Sequence, residues 1–207
     1  MHKLSKSESR QEDRTRLPAT QDVFREAVET KTRLFSERWH PANAAEVVIA
    51  FLKAERHRSS RYGLHLTHEQ NRLIDSPNPN DQIENQQRLS LLRTSFRRAS
   101  LWDAIPANTQ WYRIEYLRYS HLSELLVISD KSWLNFASRI PKQMTGPERW
   151  APPILWAHSR EGPFTVLEGN NRINWVAAKR YNRLEVAVMI GVSADRCSLH
   201  WPDLIGW

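Results

Sequence analysis

Apolar side chains recur at three- and four-residue spacing along the first hundred residues and in short runs along the second hundred. From about Thr20, Val23, Phe24, Ala27, Val28, Lys31, Leu34, Phe35 and Trp39 line one stripe of a helical period, and Pro41 then restarts the chain. Ala44 to Leu52, with Val47, Val48, Ile49, Phe51 and Leu52, predicts a second and more buried helix. Thr67 and Gln70 have capping-box spacing for a short helix through Ile74. After the turn cluster "DSPNPND", Asp81 and Glu84 repeat that spacing and open a helix expected to bury Ile83, Leu89, Leu92 and Phe96.

Beyond Leu101 the texture changes. Eight of the nine tryptophans lie from Trp102 onward, and "WYRIEYL", "ELLVIS", "PPILWAH", "FTVLE" and "LEVAVMIGV" favour strands. The pattern therefore predicts an α+β protein in three parts: a mobile basic tail over 1–18, a helical region over 19–100, and a small mixed α/β domain over 101–207.

Composition narrows the class. A chain of 207 residues, 40% hydrophobic and 26% charged, can bury one sizeable core and is too apolar to be disordered. No apolar run approaches the ~20 residues of a membrane span, and "MHKLSKSESRQEDRTR" lacks the apolar segment of a signal peptide. The expectation is a cytoplasmic protein without membrane insertion. Cys197 is the only cysteine, which excludes a disulfide framework and a thiolate zinc cluster and suits a small packed residue. His65 and His68 have a spacing that could share a metal, but with no third ligand near in sequence they read as surface residues.

The formal charge of +7 favours acidic partners. Residues 1–100 hold 18 Lys+Arg against 13 Asp+Glu, a net of +5, so the helical part is the better candidate contact for DNA. Arg88, Arg93, Arg97 and Arg98 on its last helix are the candidate nucleic-acid-binding residues; the alternative is an ordinary solvated face.

The sharpest local signal is the seam in "FTVLEGNNRINWVAAKRYNRLEVAVMI", residues 164–190. A hairpin of "PPILWAH" and "FTVLE" ends at Glu168, and a helix burying Ile173, Val176 and Ala177 starts at about Asn171. Gly169 permits a sharp turn, and Asn170 is a good N-cap. A capped helix after a strand explains all of this except Arg172, because a cation is disfavoured in the first helical turn. An anion in front of the turn accounts for it: a phosphate would take backbone N–H bonds from the Gly-Asn-Asn turn and a planar fork from Arg172. Glu168 would then hold a metal ion or take a proton.

Hairpin, acidic residue, Gly-x-x-Arg, helix and the strand "LEVAVMI" together resemble the core of the ParB/sulfiredoxin superfamily over roughly residues 105–192. Its signatures read Gly-Glu-Arg-Arg in partition proteins, Gly-Gly-Cys-His-Arg in sulfiredoxins and Asp-Gly-His-x-Arg in free-serine kinases; here Glu168-Gly169-Asn170-Asn171-Arg172 takes those places. The resemblance implies ATP or another nucleoside triphosphate at Gly169, Asn170, Asn171 and Arg172, with Glu168 and Arg172 catalytic and Mg²⁺ at Glu168. It also places "RYSHLSELLVISDKSW" opposite the turn, with Arg118 or His121 touching nucleotide; the plainer reading is that Ser120 or Ser123 caps a helix carrying Leu122, Leu125 and Leu126. Asn170 stands where sulfiredoxins carry their cysteine, so sulfinic-acid repair is not implied. Asn170 and Asn171 replace the Glu-Arg pair of partition proteins, and no helix-turn-helix pattern is evident.

The functional expectation is a nucleotide-dependent enzyme that hydrolyses ATP, acts on DNA, or both. Small basic plasmid-borne members that inhibit conjugative transfer are similar in size and tryptophan content. The alternative is a non-catalytic inhibitor or adaptor of the same fold that binds DNA or a protein of the transfer or partition machinery.

Overall fold

The computed structural model describes residues 34–59, 64–76, 78–96, 98–127, 151–179 and 187–200. The expected tail, most of the first helical stripe, Arg97 and the C-terminal tryptophans lie outside them.

Described structure begins with a 3₁₀ turn, η1 (Leu34–Ser36), and an edge strand, β1 (His40–Ala42). Leu34 and Trp39, expected on one helical stripe, lie in a 3₁₀ turn and in the stretch before β1, and Trp39 bonds back to η1 through its indole N–H and the Leu34 carbonyl (3.0 Å). Pro41 is tolerated in β1 because, among the described residues, the strand has a single neighbour and one of its edges needs no donor.

Four helices follow. α1 (Ala44–Ser59) is longer than its apolar core. Asn43 caps it, its Oδ1 accepting from Glu46 N–H at 2.9 Å. α2 (His68–Asp75) carries the expected capping box: Thr67 Oγ1 accepts from Gln70 N–H (3.2 Å) and Gln70 Oε1 from Thr67 N–H (2.9 Å). α3 (Gln82–Thr94) shows half of one. Asp81 Oδ1 accepts from Glu84 N–H at 3.0 Å, while the Glu84 carboxylate turns to Arg72, Ser76 and Arg88. The buried face of α3 carries Arg88, Leu91 and Leu92, and Ile83, expected in the core, is 72% exposed. α4 (Ala99–Asp103) is one short turn.

The second half supplies β2 (Gln110–Ile114), a 3₁₀ segment η2 (Tyr119–Glu124), β3 (Leu125–Val127), β4 (Ile154–Ala157), β5 (Phe164–Glu168), α5 (Asn170–Lys179) and β6 (Val188–Val192). Leu125 and Leu126 lie in a strand, as the run "ELLVIS" predicts, and not on the helix that a serine cap would have opened. The 3₁₀ segment ends at Glu124, and Ser123 Oγ donates to the Ser120 carbonyl (3.1 Å), which makes neither serine the cap.

One mixed six-stranded sheet results, in the order β1-β2-β6-β4-β5-β3. β4 and β5 form the expected antiparallel hairpin, β6 runs parallel to β4, and β3 runs parallel to β5. The two-residue period of a strand sends alternate side chains to opposite faces. Leu155, Ala157, Val166, Val188 and Ile190 face a core shared with Leu122 of η2 and Ile173 of α5. Ile154, Trp156, Leu167 and Met189 face a second core shared with Val47, Phe51, Ile74 and Leu92 of the helices. Both faces being covered, β4, β5 and most of β6 are buried throughout, the origin of their continuous apolar runs. The second core also crosses residue 101, so the helices of the first half and the sheet of the second are packed as one unit. Cys197 is buried in it.

Candidate functional site

The end of β5 and the start of α5 make a tight corner. Gly169 has φ +108°, a conformation that suits glycine, and a Cβ there would stand 2.9 Å from Pro153 Cβ and 3.3 Å from Arg172 Nη2. The Gly169 carbonyl accepts from Ile173 N–H at 3.0 Å, which makes Gly169 the capping residue. Asn170 is thus the first helical residue and not the N-cap expected from its type, and its buried Oδ1 has no hydrogen-bond partner. Asn171 is exposed.

Arg172 is 8% exposed and Glu168 5% exposed. Arg172 Nη2 donates to Glu168 Oε1 at 3.1 Å, and its Nη1 donates to the Ala151 carbonyl. The same Oε1 accepts from Gly169 N–H at 2.9 Å. The anion that accounts for a cation in the first helical turn is therefore the chain's own carboxylate one turn back. This corrects the expected geometry of a guanidinium fork offered to a phosphate: Arg172 ties the corner between β4 and α5. It also bears on Glu168 as a metal ligand, since its Oε1 already accepts from two donors, one of them a guanidinium.

Opposite lies η2, which packs on α5. Its His121 is fully buried. Nδ1 accepts from Arg118 N–H at 3.1 Å, so the neutral ring carries its proton on Nε2. Nε2 stands 3.4 Å from Glu37 Oε1 without making a hydrogen bond. Burial is the main cause that pushes the imidazole down to about 4, against the opposing pull of Glu37. Arg118 itself pairs with Glu37 through Nε at 2.6 Å. Arg118 and His121 thus stand together around an acid that the sequence did not single out, Glu37.

Every buried side-chain polar atom that lacks a hydrogen-bond partner among the described residues lies on η2 or in the first turns of α5, and His121 Nε2, Asn170 Oδ1 and both amide atoms of Asn174 are among them. Asn174 is fully buried and was missed in the sequence. A poor helix former one turn after Asn170, between Ile173 and the apolar run Trp175–Ala178, was the available signal.

The helical arginines are arranged otherwise. Arg88 is fully buried, a correction to its expected role on DNA: Nε donates to the Leu73 carbonyl (2.8 Å), Nη1 to the Asn78 carbonyl (3.1 Å), and Nη2 to Glu84. Arg98 pairs with the buried Glu55 at 2.7 Å, and Arg93 pairs with Asp103 on the surface. Arg97 lies outside the described residues.

No family model, curated protein or solved structure matches the chain. Among the described residues no group of three His, Cys, Asp or Glu side chains is placed to hold a metal ion, and no helix is long and apolar enough to cross a membrane.

Proposed function

We propose that the head of α5 binds the phosphates of a nucleoside triphosphate, ATP first among them, and that the protein is a nucleotide-dependent enzyme of ParB/sulfiredoxin type that hydrolyses ATP in work on DNA. The observation that carries the proposal is the α5 head itself. A helix leaves its first N–H groups without intrahelical acceptors. Here the capping residue is a glycine with no side chain to supply one, and the partnerless amide oxygen of Asn170 lies beside them. The helix dipole favours an anion at that point. A side-chain amide can present either its oxygen or its NH₂ group, so Asn170 suits a phosphate when turned over.

In this proposal Arg172 positions the turn, and the N–H groups of Asn170 and Asn171 meet phosphate oxygens. Glu168, bonded to Arg172 and Gly169, sets the corner. Magnesium carried on the nucleotide's own phosphates would supply charge neutralisation for phosphoryl transfer. The enclosed Glu168 carboxylate favours a second reading, a non-catalytic adaptor that binds nucleotide, DNA or a protein of the plasmid transfer machinery and inhibits transfer without turnover.

Calorimetry with ATP and CTP in the presence of Mg²⁺, on wild type and Asn171→Asp, tests the site. An aspartate in the first turn suits the helix dipole but repels phosphate. The expected outcome is at least tenfold weaker nucleotide binding with an unchanged or raised Tm. Failure of the wild type to bind either nucleotide would sink the proposal. Binding without turnover, with and without DNA, would select the adaptor.

A further inference from the structure

We infer that the seam between η2 and α5 takes the nucleobase of the same ligand, with the Asn174 amide reading the base edge. This rests on the phosphate reading above and adds what the ligand is beyond its phosphates.

Asn174 is fully buried, and neither its Nδ2 nor its Oδ1 has a hydrogen-bond partner. Native structures seldom leave such groups unsatisfied, because the desolvation of an amide is then uncompensated. Leucine has nearly the same shape and would fill the position without that cost. A polar partner that enters the seam accounts for the asparagine.

Position identifies the partner. Asn174 follows Asn170 by four residues, on the same helix face and about 6 Å farther along the axis. Helical side chains lean toward the N-terminus, so the amide leans toward the turn whose N–H groups meet phosphate. A nucleotide bound by its phosphates at the α5 head then lays its base along this face. The amide carries one acceptor beside donors, the complement of a base edge with a donor beside an acceptor, as in the pairing of asparagine with adenine N6 and N7. On the facing element, His121 is neutral and carries its proton on Nε2, which is turned to the Glu37 carboxylate at 3.4 Å, so the Asn174 amide is the group left to read the base. Both groups are sealed from solvent, so entry of the base requires η2 to shift on α5.

The test compares ATP with inorganic tripolyphosphate by calorimetry on the full chain, wild type and Asn174→Leu, alongside the Tm of each ligand-free protein. Asn174→Leu is expected to weaken ATP binding at least tenfold, to leave tripolyphosphate binding unchanged and to keep or raise the Tm. Unchanged ATP affinity in the variant, with a lowered Tm, would make Asn174 an amide held by a trapped water and overturn the inference. Equal wild-type affinity for ATP and tripolyphosphate would also overturn it while leaving the phosphate reading intact, and binding of neither would remove both. If the leucine variant does not fold, Asn174→Ser is read in the same way.

Discussion

Two buried polar constellations sit on opposite faces of one sheet, and they are finished to different degrees. On the helical face, Arg88 spends its guanidinium on two carbonyls, Asn85 and Glu84, and the buried Glu55 is met by Arg98. On the other face, Arg172 is likewise tied to Glu168 and the Ala151 carbonyl, yet two residues on Asn174 is sealed in with nothing to bond. Burial and charge are therefore poor guides to function in this protein. What distinguishes the two faces is whether hydrogen-bonding capacity is used up, and among the described residues it is the η2–α5 seam that leaves a place for something else.

The strongest way to break that contrast is at Arg88. Removing one partner of a buried, bonded charge typically costs about 3–5 kcal/mol, because the remaining groups stay buried and unpaired. Arg88→Met should lower unfolding stability by about that amount in a denaturant titration while leaving nucleotide affinity in the surviving folded fraction unchanged. A loss below about 1 kcal/mol would mean that the helical network is slack and the contrast false.

His121 sharpens the comparison from the other side. Its imidazole titrates near 4 in the folded protein and near 6.5 when unfolded. Above pH 6.5 both states are neutral and the full stability is present. As pH falls from 6.5 toward 4, the unfolded chain takes up a proton that the folded protein refuses, so stability falls by up to about 1.4 kcal/mol per pH unit, about 3 kcal/mol in all. Carboxylates titrate in part of the same window. The measurement is thus the difference between wild type and His121→Gln, whose side chain keeps an acceptor for Arg118 N–H. A smaller pH dependence in the variant is expected; parallel curves would show that His121 is solvated and the seam open.

The strands and most of the helices were legible because burial on both sheet faces writes continuous apolar runs, and because capping chemistry such as Thr67 with Gln70 is local. The turn at Gly169 was legible for the same reason. What escaped depended on contacts distant in sequence. Ile83 faces solvent because α3 packs on α1 and α2 through the side that carries Leu91 and Leu92, and Arg172 looked like a phosphate ligand because Glu168 reads as a separate catalytic group until the helix brings it within 3.1 Å. The edge strand at Pro41 has no local signal at all, since its pairing with Tyr112 is made across seventy residues.

The smallest effect is expected at Arg93, the half-exposed arginine of the helical face. Its ion pair with Asp103 is open to solvent on both sides, where such pairs contribute about 0–1 kcal/mol, so Arg93→Ala should leave stability almost unchanged. A direct phosphate contact would give a different signature. Each one released on substitution lowers the slope of log affinity against log salt by about one unit. Titrating duplex and single-stranded DNA across a salt series, with wild type and Arg93→Ala, is expected to give superimposable slopes, because Asp103 already neutralises the guanidinium. A slope reduced by about one would return the helical face to the role its charge first suggested, and DNA would then lie across the layer opposite the nucleotide seam.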